Sequence, residues 1–172
     1  DGSFVTATSG AQIQGQIGGS VSFNGVNNYI TIPDADVLDL DTFWSWSVWV
    51  YYEGETGNVY NFHFSKGAPF FSGTSYGPGI PTTTVDIDAF VRQSDNAAYA
   101  FNQIVDFGIT YDSMWANMIQ TFSSSTMKFY INGVFLDEDT LGTAGTYIST
   151  KALEIGAYSP NSYYWNGAVD EL

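Results

Sequence analysis

The run from Phe43 to Tyr52, Phe-Trp-Ser-Trp-Ser-Val-Trp-Val-Tyr-Tyr, alternates with a period of two and carries no helical stripe. Trp44, Trp46, Val48, Val50 and Tyr52 fall on one face of a strand, and Phe43, Ser45, Ser47, Trp49 and Tyr51 on the other. Both faces are largely apolar. The pattern therefore predicts a strand in the middle of a sandwich.

Further alternating runs are Val21 and Phe23; Tyr29 to Ile32; Tyr60, Phe62 and Phe64; Val85, Ile87, Ala89 and Val91; Val105, Phe107 and Ile109; Trp115 to Phe122; Met127, Phe129 and Ile131; and Leu153 with Ile155. They amount to about nine or ten strands, the number expected of a two-sheet sandwich. Asn132-Gly133, between Met127 to Ile131 and Val134 to Leu136, marks a hairpin because both residues accept positive φ. The Gly-, Pro- and Ser-rich stretch from Ser65 to Thr84 reads as a long surface loop, either a binding loop or a connection covering a sheet edge.

Length and charge narrow the possibilities. At 172 residues, with no repeat or linker, residues 1–172 read as one domain. Four basic residues against eighteen acidic ones give a net charge of −14, which repels nucleic acid and anionic membranes. No apolar run has the ~18 residues of a membrane span. The absence of cysteine removes disulfides and thiolate chemistry, and the acidic, Lys-poor, Gly/Ser/Thr-rich composition points to an extracellular or virion surface. Asp1 is not an initiator methionine, so the chain is expected to be processed or excised from something longer.

Catalytic constellations are sparse. The close carboxylate pairs are Asp86 with Asp88, Glu53 with Glu55 and Asp137 with Asp139; none has the third same-face carboxylate of a jelly-roll glycosidase. Asp86 and Asp88 read as a solvent-facing set, with Asp88 paired to Arg92. Asp34, Asp36, Asp39 and Asp41 read as a solvated turn. His63, flanked by Phe62 and Phe64, is the one histidine and reads as a strand residue. The expectation is that the domain is not an enzyme.

Three segments in order carry a family likeness: Gly19 to Pro33 (Gly-Ser-Val-Ser-Phe-Asn-Gly-Val-Asn-Asn-Tyr-Ile-Thr-Ile-Pro), Trp46-Ser47-Val48-Trp49-Val50, and Met127 to Val134 (Met-Lys-Phe-Tyr-Ile-Asn-Gly-Val). Trp115, Leu153-Glu154-Ile155-Gly156 and the closing Asn166 to Leu172 extend it. Together they resemble the laminin-G-like branch of the concanavalin A-like lectin/glucanase superfamily. The resemblance implies an all-β, two-sheet antiparallel jelly-roll sandwich. Asn24 stands where that family has Asp, and the sequence stops at Leu172 where similar proteins continue the last strand, so the closing strand is expected to be cut short, or completed by a strand from elsewhere.

The resemblance further implies a structural calcium held by Asn24, Asn28, Asp170 and Glu171, the alternative being that Asn24 and Asn28 are turn residues bonding their own backbone. It also implies a non-catalytic recognition module, used in adhesion or carbohydrate binding, with glycan or protein partners at an extracellular, cell or virion surface. Phe70, Phe71 and Tyr76 in the long loop, and Tyr158, Tyr163, Tyr164 and Trp165 before the last strand, are the expected ligand-stacking residues. The alternative is a structural or decoration subunit of a virion or extracellular filament, self-assembling through aromatic loops or strand exchange.

Overall fold

The computed structural model describes residues 3–5, 12–54, 57, 60–67, 76–81, 86–92, 99–104, 111–140, 145–158 and 163–172. In chain order the strands are β1 (Ser3–Val5), β2 (Gln12–Gln14), β3 (Gly19–Asn24), β4 (Tyr29–Ile32), β5 (Phe43–Tyr52), β6 (Tyr60–Phe62), β7 (Phe64–Lys66) and β8 (Tyr76–Pro81). They continue with β9 (Ile87–Arg92), β10 (Tyr99–Ile104), β11 (Trp115–Ser123), β12 (Thr126–Ile131), β13 (Val134–Thr140), β14 (Leu153–Ile155) and β15 (Asn166–Asp170). Among the described residues, a 3-10 turn at Asp36–Leu38 interrupts the β structure. Sheet A runs β1-β4-β14-β7-β8-β9-β10, with β6 also on β8; sheet B runs β13-β12-β11-β5-β15-β3-β2. Every described ladder is antiparallel, which gives the expected two-sheet sandwich.

Period two decides what faces the gap between the sheets. From β5, Trp44, Trp46, Val48, Val50 and Tyr52 point inward and are buried, whereas Phe43, Ser45 and Ser47 are exposed and Trp49 and Tyr51 half-buried. The strand is thus covered on one face only, not on two as its sequence suggests. Its outer aromatics stand on the free side of sheet B. Inward, Trp46 meets Phe64 edge-on at 5.0 Å and Phe129 at 5.9 Å, while Trp44 stacks on Phe122 at 5.3 Å. A buried indole N–H needs an acceptor. Trp46 donates to Gln120 Oε1 (2.8 Å) and Trp44 to Thr146 Oγ1 (2.9 Å), which explains a fully buried glutamine in the middle of β11.

The structure revises two readings of the sequence. Tyr60, Phe62 and Phe64 do not form one strand. The chain bends at His63, so Phe62 packs on the outer face of sheet A and Phe64 in the main core, although two residues apart in one strand would share a face. Tyr76–Pro81, inside the stretch read as a loop, is strand β8 despite its two glycines and two prolines. Gly79 explains part of this, since a Cβ there would strike the ring of Phe62 at 2.8 Å. Of the Val105 to Ile109 run, the structure has strand β10 ending at Ile104, and 105–110 lie outside the described residues. The Asn132-Gly133 hairpin is present, with φ of 50° and 77°, and Asn132 exchanges hydrogen bonds with Asn117 across the sheet.

The acidic turn has a partner that was not foreseen. Lys66 ends β7 fully buried, and its ammonium donates to Asp34 Oδ1 and to the backbone carbonyls of Ser149 (2.8 Å) and Lys151 (2.5 Å), with Asp39 Oδ1 at 4.0 Å. One lysine therefore joins the turn after β4 to the segment before β14. Asp34 and Asp39 are its counter-charges, not merely solvated turn residues. Removing a buried charge's partner strands the rest, at about 3–5 kcal/mol. Asp34→Ala, which leaves the Lys66 ammonium buried with its nearest remaining carboxylate, Asp39, at 4.0 Å, is expected to lower stability to urea by up to that amount. The exposed Lys128, bonded to Glu138 at 2.9 Å, provides the contrast: Lys128→Met should leave the urea midpoint nearly unchanged.

Candidate ligand-binding surface

The outer face of sheet B is where large side chains meet solvent. Pairing of β11 with β5 sets Trp115 opposite Tyr51, Asn117 opposite Trp49 and Ile119 opposite Ser47. On the neighbouring ladders Tyr130 lies opposite Ile119 and Phe135, and Ala168 lies opposite Tyr51. The Tyr51 and Trp115 rings are 5.5 Å apart and tilted by 55°, and Tyr130 meets Phe135 edge-on at 5.7 Å. Trp49, Tyr51, Trp115, Ile119 and Tyr130 are half-buried; Phe43 and Phe135 are 73% and 52% exposed. Beside the tryptophans, the Asn117 amide is fixed by donating to Ser47 Oγ (3.2 Å) and the Val48 carbonyl (3.3 Å).

Flat rings held on rigid strands, with an amide and serine hydroxyls among them, offer π faces for C–H groups and polar atoms for hydroxyls. Contiguous rings on an open sheet face make it the candidate contact surface. The signal was present in the alternation of β5. In the sequence, apolar residues on both faces of this strand read equally as a fully covered strand.

The residues expected to stack on ligand are placed differently. Tyr76, Tyr158 and Trp165 are buried, and their rings are engaged in packing, which corrects their assignment as contact residues. Tyr76 lies between Trp44 (5.8 Å) and Phe64 (6.5 Å), and its hydroxyl, held well above its usual pKa by burial and then by Asp39, donates to the Leu38 carbonyl. Trp165 packs on Tyr52 and His63. Tyr163 and Tyr164 are half-buried, Tyr163 against Tyr60 and Tyr158, and Tyr164 beside Tyr29. Phe70 and Phe71 lie outside the described residues.

The outer face of sheet A is a second small core. Phe62, Phe90 and Tyr158 are buried there, with Tyr60 and Tyr163 against them. Asp86, Asp88 and Arg92 are buried too, contrary to the expected solvent-facing set. Asp88 accepts a hydrogen bond from the Tyr60 hydroxyl (3.2 Å); burial, and secondarily Asp86, raise its pKa, while burial and Asp88 push the Tyr60 hydroxyl up to about 12. Glu154 is raised by burial, against the opposing hydrogen bond from Thr31 (2.8 Å).

The four residues expected to hold calcium do not converge. Asn24 Oδ1 accepts the backbone N–H groups of Val26 (3.0 Å), Asn27 (3.1 Å) and Asn28 (3.2 Å), and its amide nitrogen donates to Asn27 Oδ1 (2.9 Å). Asp170 packs on Gly15 and accepts from Ile17 N–H (2.9 Å). In the β3–β15 ladder Asn24 faces Asn166, and Asp170 lies four residues further on, roughly 13 Å along the strand. The set does not fit one ion. The Asn24 geometry is that of a turn residue.

Comparisons with known proteins can now be set beside this geometry. A laminin G-type model of the concanavalin A-like lectin/glucanases superfamily matches residues 24–172. The chain belongs to that superfamily. Among solved structures, the binding domain of Paraclostridial Mosquitocidal Protein 1 superposes with a TM-score of 0.71 at 10% identity, over 98% of this chain and 42% of that one. Domain 4 of AbnA, an extracellular arabinanase from Geobacillus stearothermophilus solved with arabinotriose, gives 0.65 at 19% identity, over 95% and 73%. Mouse laminin alpha1 domains LG4-5 give 0.62 at 9%, over 87% and 39%. The superfamily member described here thus spans about two fifths of the toxin and laminin chains, and the likenesses speak for a shared fold. A search of curated proteins finds no match.

Two outcomes are expected. Asn24→Ala should cost about 1–2 kcal/mol, as loss of a side-chain cap does, and urea titrations should give the same loss in calcium and in chelator. His63 is fully buried between Trp165 (4.9 Å) and Phe64 (5.8 Å), and neither ring nitrogen has a hydrogen-bond partner among the described residues. Burial lowers its pKa from 6.5 to about 3. The unfolded chain therefore binds the proton first, and acidification below pH 6.5 removes stability, by roughly 2 kcal/mol at pH 5. Asp88 and Glu154, raised in the fold, act with the opposite sign. Thermal melts between pH 7.5 and 5 should show His63→Phe losing less stability on acidification than the parent by about that amount.

Proposed function

We propose that this domain is a non-catalytic, extracellular carbohydrate-recognition module whose contact surface is the outer face of sheet B, centred on Trp49, Tyr51, Trp115 and Asn117. The observation that carries the reading is the solvent-facing Tyr51–Trp115 pair, directly opposite across β5 and β11, with the anchored Asn117 amide in the adjoining pair. A sugar ring presents an apolar C–H face for such rings and hydroxyls for the amide.

The acidic residues support binding without turnover. Asp86 and Asp88 are buried on the opposite sheet, Asp88 under the Tyr60 hydroxyl, far from the arrangement of paired carboxylates open to a glycosidic bond. The arabinanase domain solved with arabinotriose supports a sugar as the class of ligand, and the toxin binding domains support a surface setting. A protein partner is the second reading. It is favoured by Val134, Phe135 and Leu136, exposed in succession on the edge strand β13.

Affinity electrophoresis through gels containing soluble plant and bacterial polysaccharides tests the proposal. At least one polysaccharide should retard the protein, and Trp115→Ala should weaken that retardation about tenfold, equivalent to about 1.4 kcal/mol. Lys128→Met, at the far side of the same face, should bind as the parent does. Equal retardation of Trp115→Ala and parent would overturn the assigned surface, and lack of retardation by every polysaccharide would turn the reading to a protein partner.

A further inference from the structure

The outer face of sheet B holds two groups of rings. Tyr51 and Trp115 form one, opposite each other on β5 and β11. Ile119 lies four residues along β11 from Trp115, and Tyr130 of β12 lies opposite Ile119 with Phe135 of β13 opposite it in turn. At ~3.3 Å per residue and ~5 Å per strand, the Tyr130–Phe135 pair begins roughly 14 Å from Trp115. Asn117 falls between the two groups on β11, its amide fixed on Ser47 Oγ and the Val48 carbonyl.

Among the described residues this face offers no free positive charge. The outward positions of β5 and β11 carry only aromatic, aliphatic, hydroxyl and amide side chains. On β12, Lys128 is bonded to Glu138 at 2.9 Å. On β15, Asp170, opposite Trp49, is buried and accepts the Ile17 N–H. The other basic residues lie elsewhere: Lys66 and Arg92 are buried in sheet A, and Lys151 precedes β14 of that sheet. Just past Tyr51 the exposed charge is an acid, Glu53. With a net charge of −14, such a surface repels uronates, sulfates and sialic acids and has nothing to pair with them.

The geometry points to an uncharged ligand of several rings: a neutral polysaccharide chain lies across both groups, stacked on Tyr51 and Trp115 at one end and on Tyr130 and Phe135 at the other, with Asn117 taking a hydroxyl between them. This inference rests on the proposed sugar-binding surface and adds the class of sugar and the length of chain that it takes. One sugar ring cannot reach both groups. A chain held at one group is kept close to the other, so the second contact forms at a high effective concentration, and affinity rises with chain length until both are covered. Binding that uses no ion pair is indifferent to salt.

Affinity electrophoresis at low and high salt, with neutral polymers (arabinan, galactomannan, mixed-linkage β-glucan) and acidic ones (alginate, polygalacturonate, heparin), tests the class. At least one neutral polymer should retard the protein equally at both salt concentrations, and no acidic polymer should. Calorimetry with disaccharide and hexasaccharide fragments of a retarding polymer tests the span. The hexasaccharide should bind about tenfold more tightly than the disaccharide, and Tyr130→Ala, or Phe135→Ala at the more exposed position, should remove about that factor while changing disaccharide binding little. Salt-sensitive retardation by an acidic polymer would overturn the neutral class. Equal affinity for the two fragments, or hexasaccharide binding unchanged in both variants, would overturn the span. In these cases Trp115→Ala still weakens binding and the surface itself stands; binding that Trp115→Ala leaves intact, or lack of retardation by every polymer, removes the surface and this inference with it.

Discussion

The structure depends on the alternation of β5. Its ten residues serve two environments at once: Trp44, Trp46, Val48, Val50 and Tyr52 fill the space between the sheets, and Trp49 and Tyr51 stand on the free face of sheet B. A shift of one residue against β11 would exchange the two sets, burying Ser45 and Ser47 and exposing Trp44, Trp46, Val48, Val50 and Tyr52. Polar partners fix the register further. Gln120 and Thr146 accept the indole N–H groups of Trp46 and Trp44, so a slipped strand would strand two buried donors as well as lose its packing.

Sheet A is organised by different means. Its outer face carries a second aromatic core whose Tyr60 hydroxyl bonds the buried Asp88, the sheet also buries Asp86, Arg92 and Glu154, and its rim is tied down by Lys66. Close approaches complete the arrangement. A Cβ at Gly156 would run into the ring of Phe23, and one at Gly167 into the Tyr51 carbonyl, so the final turn and β15 can lie flat against their neighbours only with glycine at these two positions. The two faces therefore differ in kind. One is closed over polar groups, and the other presents rings to solvent.

The fold was legible because its signals are local: the alternation of β5 and β11 and the Asn132-Gly133 turn each depend on residues adjacent in sequence. The long-range features were not. Nothing local distinguishes Lys66 from a surface lysine, because its partners lie at Asp34 and at the carbonyls of Ser149 and Lys151, far away in the chain. Nor does composition reveal that the aromatics around Tyr158 and Trp165 are consumed in packing, since polar, Gly-rich turns surround them in sequence while phenyl and indole rings surround them in space. The proposed contact surface is half legible. Trp49 and Tyr51 were assigned to their own face of β5, but which face of an apolar strand is left open is settled only by how the sheets stack.

The five tryptophans divide cleanly between these roles, and that division gives the most direct test. The indole N–H groups of Trp44, Trp46 and Trp165 are bonded to Thr146, Gln120 and the Ala168 carbonyl inside the fold, whereas Trp49 and Trp115 lie on the free face of sheet B. Titrating the nitrogen-15-labelled protein with an oligosaccharide from any polysaccharide it binds, and following the indole N–H resonances, should move those of Trp49 and Trp115 and leave the other three in place. Movement confined to Trp44, Trp46 or Trp165, or binding with Trp49 and Trp115 unmoved, would contradict the assignment of recognition to the outer face of β5.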